Sequence, residues 1–223
     1  MSLIVAHRGG KGESFENSIS SFEKAIRLKV DSIEVDLRKT KDGEIVILHD
    51  ESLDRTTHAK GNLSDYSSHE IKNIKLKNGE ALPFLSDLLS MAKNKILLHL
   101  EVKEAGFEEK LIQLITQYQM QDQVFIISFY VDVLTQCYRL NPNIKTGFLF
   151  LTFPRFARTP KSCSLVLPES KLIDEENLKK FKENGRQVHT WVVNDQEEGK
   201  RLTSLGVNGL ITDFPEKISC WKS

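Results

Sequence analysis

The sequence predicts an α/β fold, and within that class a closed (β/α)8, or TIM, barrel. Three observations carry this: β-type runs alternate with helical runs, the β-type runs number eight, and chemically active side chains gather where those runs end. At 223 residues the chain has the size of one such barrel with one well-buried core. An open doubly wound sheet is the alternative, but no GxGxxG opens the first helix, so its dinucleotide-binding version lacks its mark.

The eight runs are residues 3–7, 32–38, 96–102, 124–129, 145–150, 164–168, 187–193 and 209–212. Helical patterns stand between most of them, at 18–30, 85–93, 107–119, 131–141, 174–185 and 195–206. In 107–119, Phe107, Leu111, Leu114, Ile115 and Tyr118 fall at helical spacing and make one buried stripe. Gly185 and Gly206 sit where a helix stops ahead of the next strand. Two places break the alternation. "RKTKDGEIVILHD" (38–50) reads as a hairpin whose two-residue turn is Asp42-Gly43, in the type I′ geometry that Asp-Gly favours. Residues 51–84 form a long polar stretch, a length that belongs to a functional lid or a flexible excursion. No internal repeat or low-complexity tract appears, so the expected organisation is one domain, 1–223, with an insertion at 51–84 after the second strand.

Lys and Arg number 31, as do Asp and Glu, so no basic field recruits nucleic acid or an anionic membrane. No stretch approaches the roughly 18 apolar residues of a spanning helix. "MSLIVAHRGG" has neither the basic region nor the long apolar run of a secretory signal. Cys137, Cys163 and Cys220 lie far apart without a CxxC pair, which suits a reducing compartment, so a cytoplasmic location is expected.

In such barrels the reactive face lies at the C-terminal ends of the strands. His7 and Arg8 end the first. "SIEVDLR" puts Glu34 and Asp36 on one face, and "LLHLEVK" does the same with His99, Glu101 and Lys103. Trp191 and Asn194 close the seventh strand, and Thr212-Asp213 the eighth. Counting back from the two-residue turn sets Asp36 opposite His49, unless a bulge shifts the register by one. Three acids, two histidines, an arginine and a lysine then share one mouth.

Glu34, Asp36 and Glu101 are hard oxygen donors, the ligand type of Mg²⁺ or Ca²⁺ rather than zinc. Buried together without a cation they would raise one another's pKa. Salt bridges to Arg8 and Lys103 alone are the alternative that needs no ion. With a metal, Arg8 and Lys103 complete a positive pocket for a phosphate or phosphodiester. His7 and His49 can then serve as general base and general acid.

The set "HRG", "FENS", "IEVDLRKTKDGEIVILHDESLDRTT", "LEVK", "WVVND" and "GVNGLITDFP" closely resembles the glycerophosphodiester phosphodiesterase family, from residue 4 to about 215, with its motifs in order. The resemblance implies a barrel of the phospholipase C-like phosphodiesterase type with a small insertion. It also implies metal-dependent hydrolysis of a small-molecule glycerophosphodiester, such as glycerophosphocholine or glycerophosphoethanolamine, to glycerol 3-phosphate and an alcohol. Position by position it makes His7 and His49 the acid/base pair, Glu34, Asp36 and Glu101 the ligands of one Mg²⁺ or Ca²⁺ (or Mn²⁺), and Arg8 and Lys103 the phosphate contacts. Either water or the substrate's 2-hydroxyl is the attacking group. "FENS" departs from the family's usual Pro-Glu-Asn-Thr: Phe15 replaces the proline, while Ser18 can still cap the next helix, and Glu16 and Asn17 support the site from behind. His99 stands where relatives commonly have asparagine, and reads as a hydrogen-bonded barrel histidine one layer below the ligands.

Among the rest, His58 and His69 read as solvated residues of the insertion, and His189 as barrel interior. Trp191 reads as a wall for the glycerol or alcohol group, with Phe129 and Tyr130 as weaker versions of the same. Arg155 and Arg158 lie in a loop on the reactive side, and Phe148, Phe150, Phe153 and Phe156 nearby are candidates for contact with a lipid or partner chain. Two other readings stay open: a lysophospholipase D or sphingomyelinase D-like activity on a larger lipid, and a phosphodiester-binding module without turnover. The polar insertion favours a small substrate, and the presence of both histidines favours turnover. The chain carries no obvious membrane anchor and is compatible with a monomer or a homodimer.

Overall fold

The computed structural model describes residues 2–152 and 162–219. Eight parallel strands close on themselves: β1 (Leu3–His7), β2 (Ser32–Lys39), β4 (Leu97–Val102), β5 (Val124–Ser128), β6 (Lys145–Phe150), β7 (Leu165–Pro168), β8 (Gln187–Thr190) and β9 (Gly209–Thr212). Closure is made by β1, which pairs with β2 on one side and β9 on the other. A ninth strand, β3 (Ile45–Ile47), lies antiparallel on β2. The helices are α1 (Ile19–Arg27), α2 (Ser68–Ile71), α3 (Leu85–Ala92), α4 (Glu108–Gln117), α5 (Val131–Leu140), α6 (Glu175–Phe181), α7 (Gln196–Ser204) and α8 (Pro215–Ser219). None is long and apolar enough to cross a membrane among the described residues.

The strand pleat sorts the side chains. One parity packs outward against the helices, as with Ile33, Val35, Leu37, Leu98, Leu100 and Val102. The other fills the barrel, with Val5, Phe125, Ile127, Leu149, Leu165, Leu167 and Ile211 in one cluster and Trp191 against it. The parallel register sets His7 beside Glu34, Glu34 beside His99, and Asp36 beside Glu101. His99 pairs in register with Glu34 but is fully buried off the cavity, and Ser32 and His189 occupy its two ring nitrogens at 2.7 and 2.9 Å. The cap of α1 also forms as expected. The Ser18 hydroxyl accepts from the Ser21 amide and the Ser21 hydroxyl from the Ser18 amide, both at 3.2 Å.

Four expectations change. The hairpin loop holds three residues, 41–43, not two: the Thr40 amide donates to the Glu44 carbonyl at 2.9 Å, and Gly43 takes the positive φ of +80° that this turn demands. Leu37 thus opposes Ile47, and Leu48 rather than His49 faces Asp36. The seventh run, 187–193, ends early, at Thr190, although the Val193 amide still reaches the Ile211 carbonyl at 2.8 Å. Phe148 and Phe150 are not available to a lipid or partner. They are buried under the helices, with Phe150 edge-on to Phe181 at 5.4 Å. Arg155, Arg158, Phe153, Phe156 and Cys220 fall outside the described residues.

Finally, the inserted stretch 51–84 is polar in composition but not in its interior. Leu53, Leu63, Ile71, Leu76 and Leu82 join Val46 and Leu48 in a buried cluster of their own. Isolated bridges, Ser52 to Asn62, Thr57 to Leu76 and Lys75 to Ala81, tie its turns together. His58 and His69 are exposed on it.

Candidate active site

Strand ends bring His7, Arg8, Glu34, Glu101, Lys103 and Trp191 to one cavity of about 380 Å³, and His49 reaches it from beyond the end of β3. Because β3 stops at Ile47, His49 is free of the strand's alternation, and the one-residue change of register does not turn it away. Its backbone is fixed instead by Arg38, whose Nε donates to the His49 carbonyl at 2.8 Å.

The three acids are buried, and one oxygen from each lies within 4.8 Å of the others. Their cations are shared unequally. Arg8 Nε stands 3.2 Å from Asp36 Oδ2, and Lys103 Nζ is 2.7 Å from Glu101 Oε1 and 3.5 Å from Asp36 Oδ1. Among the described residues, Glu34 meets only the Arg8 amide, which donates at 3.0 Å, and the His7 ring at 3.8 Å. Burial and the charges of Asp36 and Glu101 push its carboxyl well above the usual range. Burial and Asp36 likewise raise Glu101, against the pull of Lys103. Asp36 goes the other way: burial opposes ionisation, but Arg8, Lys103 and His49 together hold it below its ordinary value. Salt bridges alone therefore leave the cluster short of positive charge. Glu34 Oε1 and Asp36 Oδ1 are buried without a hydrogen-bond partner among the described residues. Two such hard oxygens, with Glu101 beside them, fit a Mg²⁺- or Ca²⁺-type cation.

The histidines are set by carboxylates on the far side of each ring. His7 Nδ1 is 2.6 Å from Asp213 Oδ1, and His49 Nδ1 is 2.6 Å from Asp50 Oδ1. That contact places the Nδ1 proton toward the acid and leaves the lone pair of the neutral ring on Nε2. Burial lowers the pKa of both rings, and the partner carboxylates only partly restore it. Asp213 is held in turn by Asn194, whose Nδ2 donates to Oδ2 at 2.9 Å while its Oδ1 accepts from the Asp213 amide. Asn17 donates to Asp36 Oδ2 at 3.0 Å, and Glu16 receives Arg8 Nη1 at 3.1 Å.

The same cavity is also lined by apolar side chains, Ile127, Phe129, Leu151, Trp191 and Ile211 among them. Phe129 meets the Trp191 ring edge-on at 5.6 Å, and the indole N–H donates to the Leu167 carbonyl at 2.8 Å. Sequence reasoning missed Lys11 on the lining, and it missed Asp50 and Arg55 behind His49. It noted Asn194 and Asp213 at strand ends without joining them to His7.

The family model for the glycerophosphoryl diester phosphodiesterases matches residues 7–217. The chain is 36% identical over 237 aligned positions to the uncharacterized protein YqiK of Bacillus subtilis, covering 98% of both. It is 34% identical over 232 positions to a glycerophosphodiester phosphodiesterase of Caldanaerobacter subterraneus subsp. tengcongensis, covering 97% of this chain and 96% of the relative. Among solved structures, an Oleispira antarctica phosphodiesterase in complex with the product sn-glycerol-3-phosphate superposes with a TM-score of 0.92. That match has 26% identity and covers 100% of this chain and 98% of the other.

Proposed function

Since the chain belongs to the glycerophosphoryl diester phosphodiesterase family, and is an enzyme of that kind, we propose that it hydrolyses small glycerophosphodiesters by metal-dependent histidine acid/base catalysis. Glycerophosphocholine and glycerophosphoethanolamine are the substrates of choice, giving sn-glycerol 3-phosphate and the free alcohol. The observation that carries this reading is the meeting, at one cavity, of two carboxylate-held imidazoles, a triad of buried acids, and Arg8 with Lys103.

Arg8 and Lys103 take the non-bridging phosphate oxygens, whose charge matches theirs. Glu34, Asp36 and Glu101 would hold the divalent ion, which when bound supplies charge neutralisation to the phosphodiester. One imidazole Nε2 removes the proton from the attacking water or substrate 2-hydroxyl, and the other delivers a proton to the departing alcohol oxygen; if the 2-hydroxyl attacks, water then opens the cyclic phosphate to glycerol 3-phosphate. The Asp213 and Asp50 contacts keep each ring in the tautomer and orientation these transfers need. The Trp191–Phe129 wall receives the organic group.

Release of glycerol 3-phosphate from a panel of glycerophosphodiesters tests the reading. Metal-stripped protein is assayed with Ca²⁺, Mg²⁺ or Mn²⁺ restored, beside His49→Ala. Ion-dependent turnover that disappears in the variant supports it; no turnover with any ion refutes it.

A further inference from the structure

Arg55 lies outside the cavity and was assigned no role by its residue type or spacing, yet its guanidinium is used on every side. Nε and Nη2 donate to the two oxygens of Asp50 at 2.6 and 3.2 Å. Nη1 and Nη2 donate to the two oxygens of Glu16 at 2.8 and 2.7 Å. Both acceptors touch the reaction machinery. Asp50 holds His49 Nδ1 at 2.6 Å, and Glu16 holds Arg8 Nη1 at 3.1 Å. Glu16 and Arg55 are 39 residues apart, so this fork joins the loop after β1 to the inserted segment.

The fork is anchored at its root as well. Leu53, Thr56 and Thr57 on either side of Arg55 are buried, and Leu53 belongs to the insertion's own core. The Thr57 amide and hydroxyl both donate to the Leu53 carbonyl, at 3.0 and 2.8 Å, closing one tight turn around Arg55. A guanidinium presents planar, paired donors, so two carboxylates bound to it are fixed in angle as well as distance. A lysine at the same place offers a point charge only.

We propose that Arg55 is a positioning residue for the reaction, one guanidinium that sets Arg8 through Glu16 and His49 through Asp50. The insertion then serves the site as a brace rather than a cover. Phosphate binding and proton transfer are tied to one support, which keeps the phosphate seat and the imidazole at a constant separation. Displacements of about 1 Å in such a pair cost on the order of 100-fold in rate. The inference rests on the roles given above to Arg8 and His49.

The test compares Arg55→Met, Arg55→Lys, Glu16→Gln and Asp50→Asn in the glycerol 3-phosphate assay, with thermal unfolding of each. Glu16→Gln is expected chiefly to raise KM and Asp50→Asn chiefly to lower kcat. Arg55→Met should do both, with kcat/KM down roughly 100-fold, and Arg55→Lys should recover only part because the paired geometry is gone. The triple variant should be no worse than Arg55→Met, since the three residues act through one support. Losses that simply add, or an Arg55→Met effect confined to unfolding temperature, overturn the proposal. A readout free of turnover is the imidazole ¹⁵N pattern of His49, assigned by its loss in His49→Ala. The wild-type ring should show protonated Nδ1, and Arg55→Met a mixture of tautomers; an unchanged pattern overturns the brace. If wild type releases no glycerol 3-phosphate, the functional reading fails while the imidazole spectra still decide the role of Arg55.

Discussion

The His7 imidazole and the Asp213 carboxylate meet at 2.6 Å although 206 residues separate them, across the seam where β1 and β9 close the barrel. A carboxylate in that place fixes which ring nitrogen carries the proton and stabilises the ring when it is charged. Asp213→Asn is expected to lower kcat about 100-fold or more, in the range of lost acid/base catalysis, with KM changed little. Asn194→Ala should cost less, since it only loosens Asp213. Steady-state kinetics on both variants check this; an unaltered kcat in Asp213→Asn would remove the aspartate from the mechanism.

Cation binding should show in stability before it shows in rate. An ion that meets Glu34, Asp36 and Glu101 only in the folded chain stabilises it by about 2.7 kcal/mol at a hundredfold excess over Kd. Metal-stripped protein should therefore unfold at a higher temperature when Mg²⁺, Ca²⁺ or Mn²⁺ is added, and the gain should be lost in Glu34→Gln. Calorimetric scans that coincide with and without ion would speak for neutralisation by Arg8 and Lys103 alone.

A third expectation concerns pH. His189 is fully buried, and desolvation lowers its pKa from 6.5 to about 4. The unfolded chain takes up the proton first as pH falls, so stability is complete above about 6.5 and is lost progressively down to about 4. For one such group the loss is of the order of 3 kcal/mol. Burial drives its neighbour His99 in the same direction. Urea midpoints measured from pH 7 to pH 4 should fall less steeply in His189→Gln than in wild type. Parallel curves would mean that other groups govern acid unfolding.

The apolar wall predicts a division of kinetic labour. Trp191→Ala removes the ring that Phe129 abuts, without touching an ionic group. KM for glycerophosphocholine should rise roughly 10-fold, with kcat within a few-fold, as for a lost uniform contact. A fall confined to kcat would instead make the indole part of the positioning of reacting atoms.

Much of this was legible in the linear chain, for a physical reason. A parallel barrel buries both faces of each strand, so its strands read as short apolar runs, and β6 and β9 end where those runs end. The same pleat made Glu34 with Asp36, and His99 with Glu101, recognisable as inward pairs. What escaped was geometry without a period. Asp-Gly suits a two-residue turn and a three-residue loop alike, and the register of Leu48 against Asp36 depends on which one forms. Leu53, Leu63, Ile71, Leu76 and Leu82 are spaced too irregularly to announce the core they share. Arg55 gives no local sign of Glu16, since the fork joins segments that meet only after folding.

The seam at β1 and β9 sets a condition on synthesis. Glu34, Asp36 and Glu101, with His7, His49, Arg8 and Lys103, are all in place by residue 103. Yet the carboxylate that orients His7 arrives with residue 213, and the strand that closes the ring arrives just ahead of it. Between residue 103 and residue 213 a nascent chain thus carries these groups without the contact that aligns His7. Hydrolysis begins when the circle is complete, and in a translation extract the onset of activity would time the closure of the barrel.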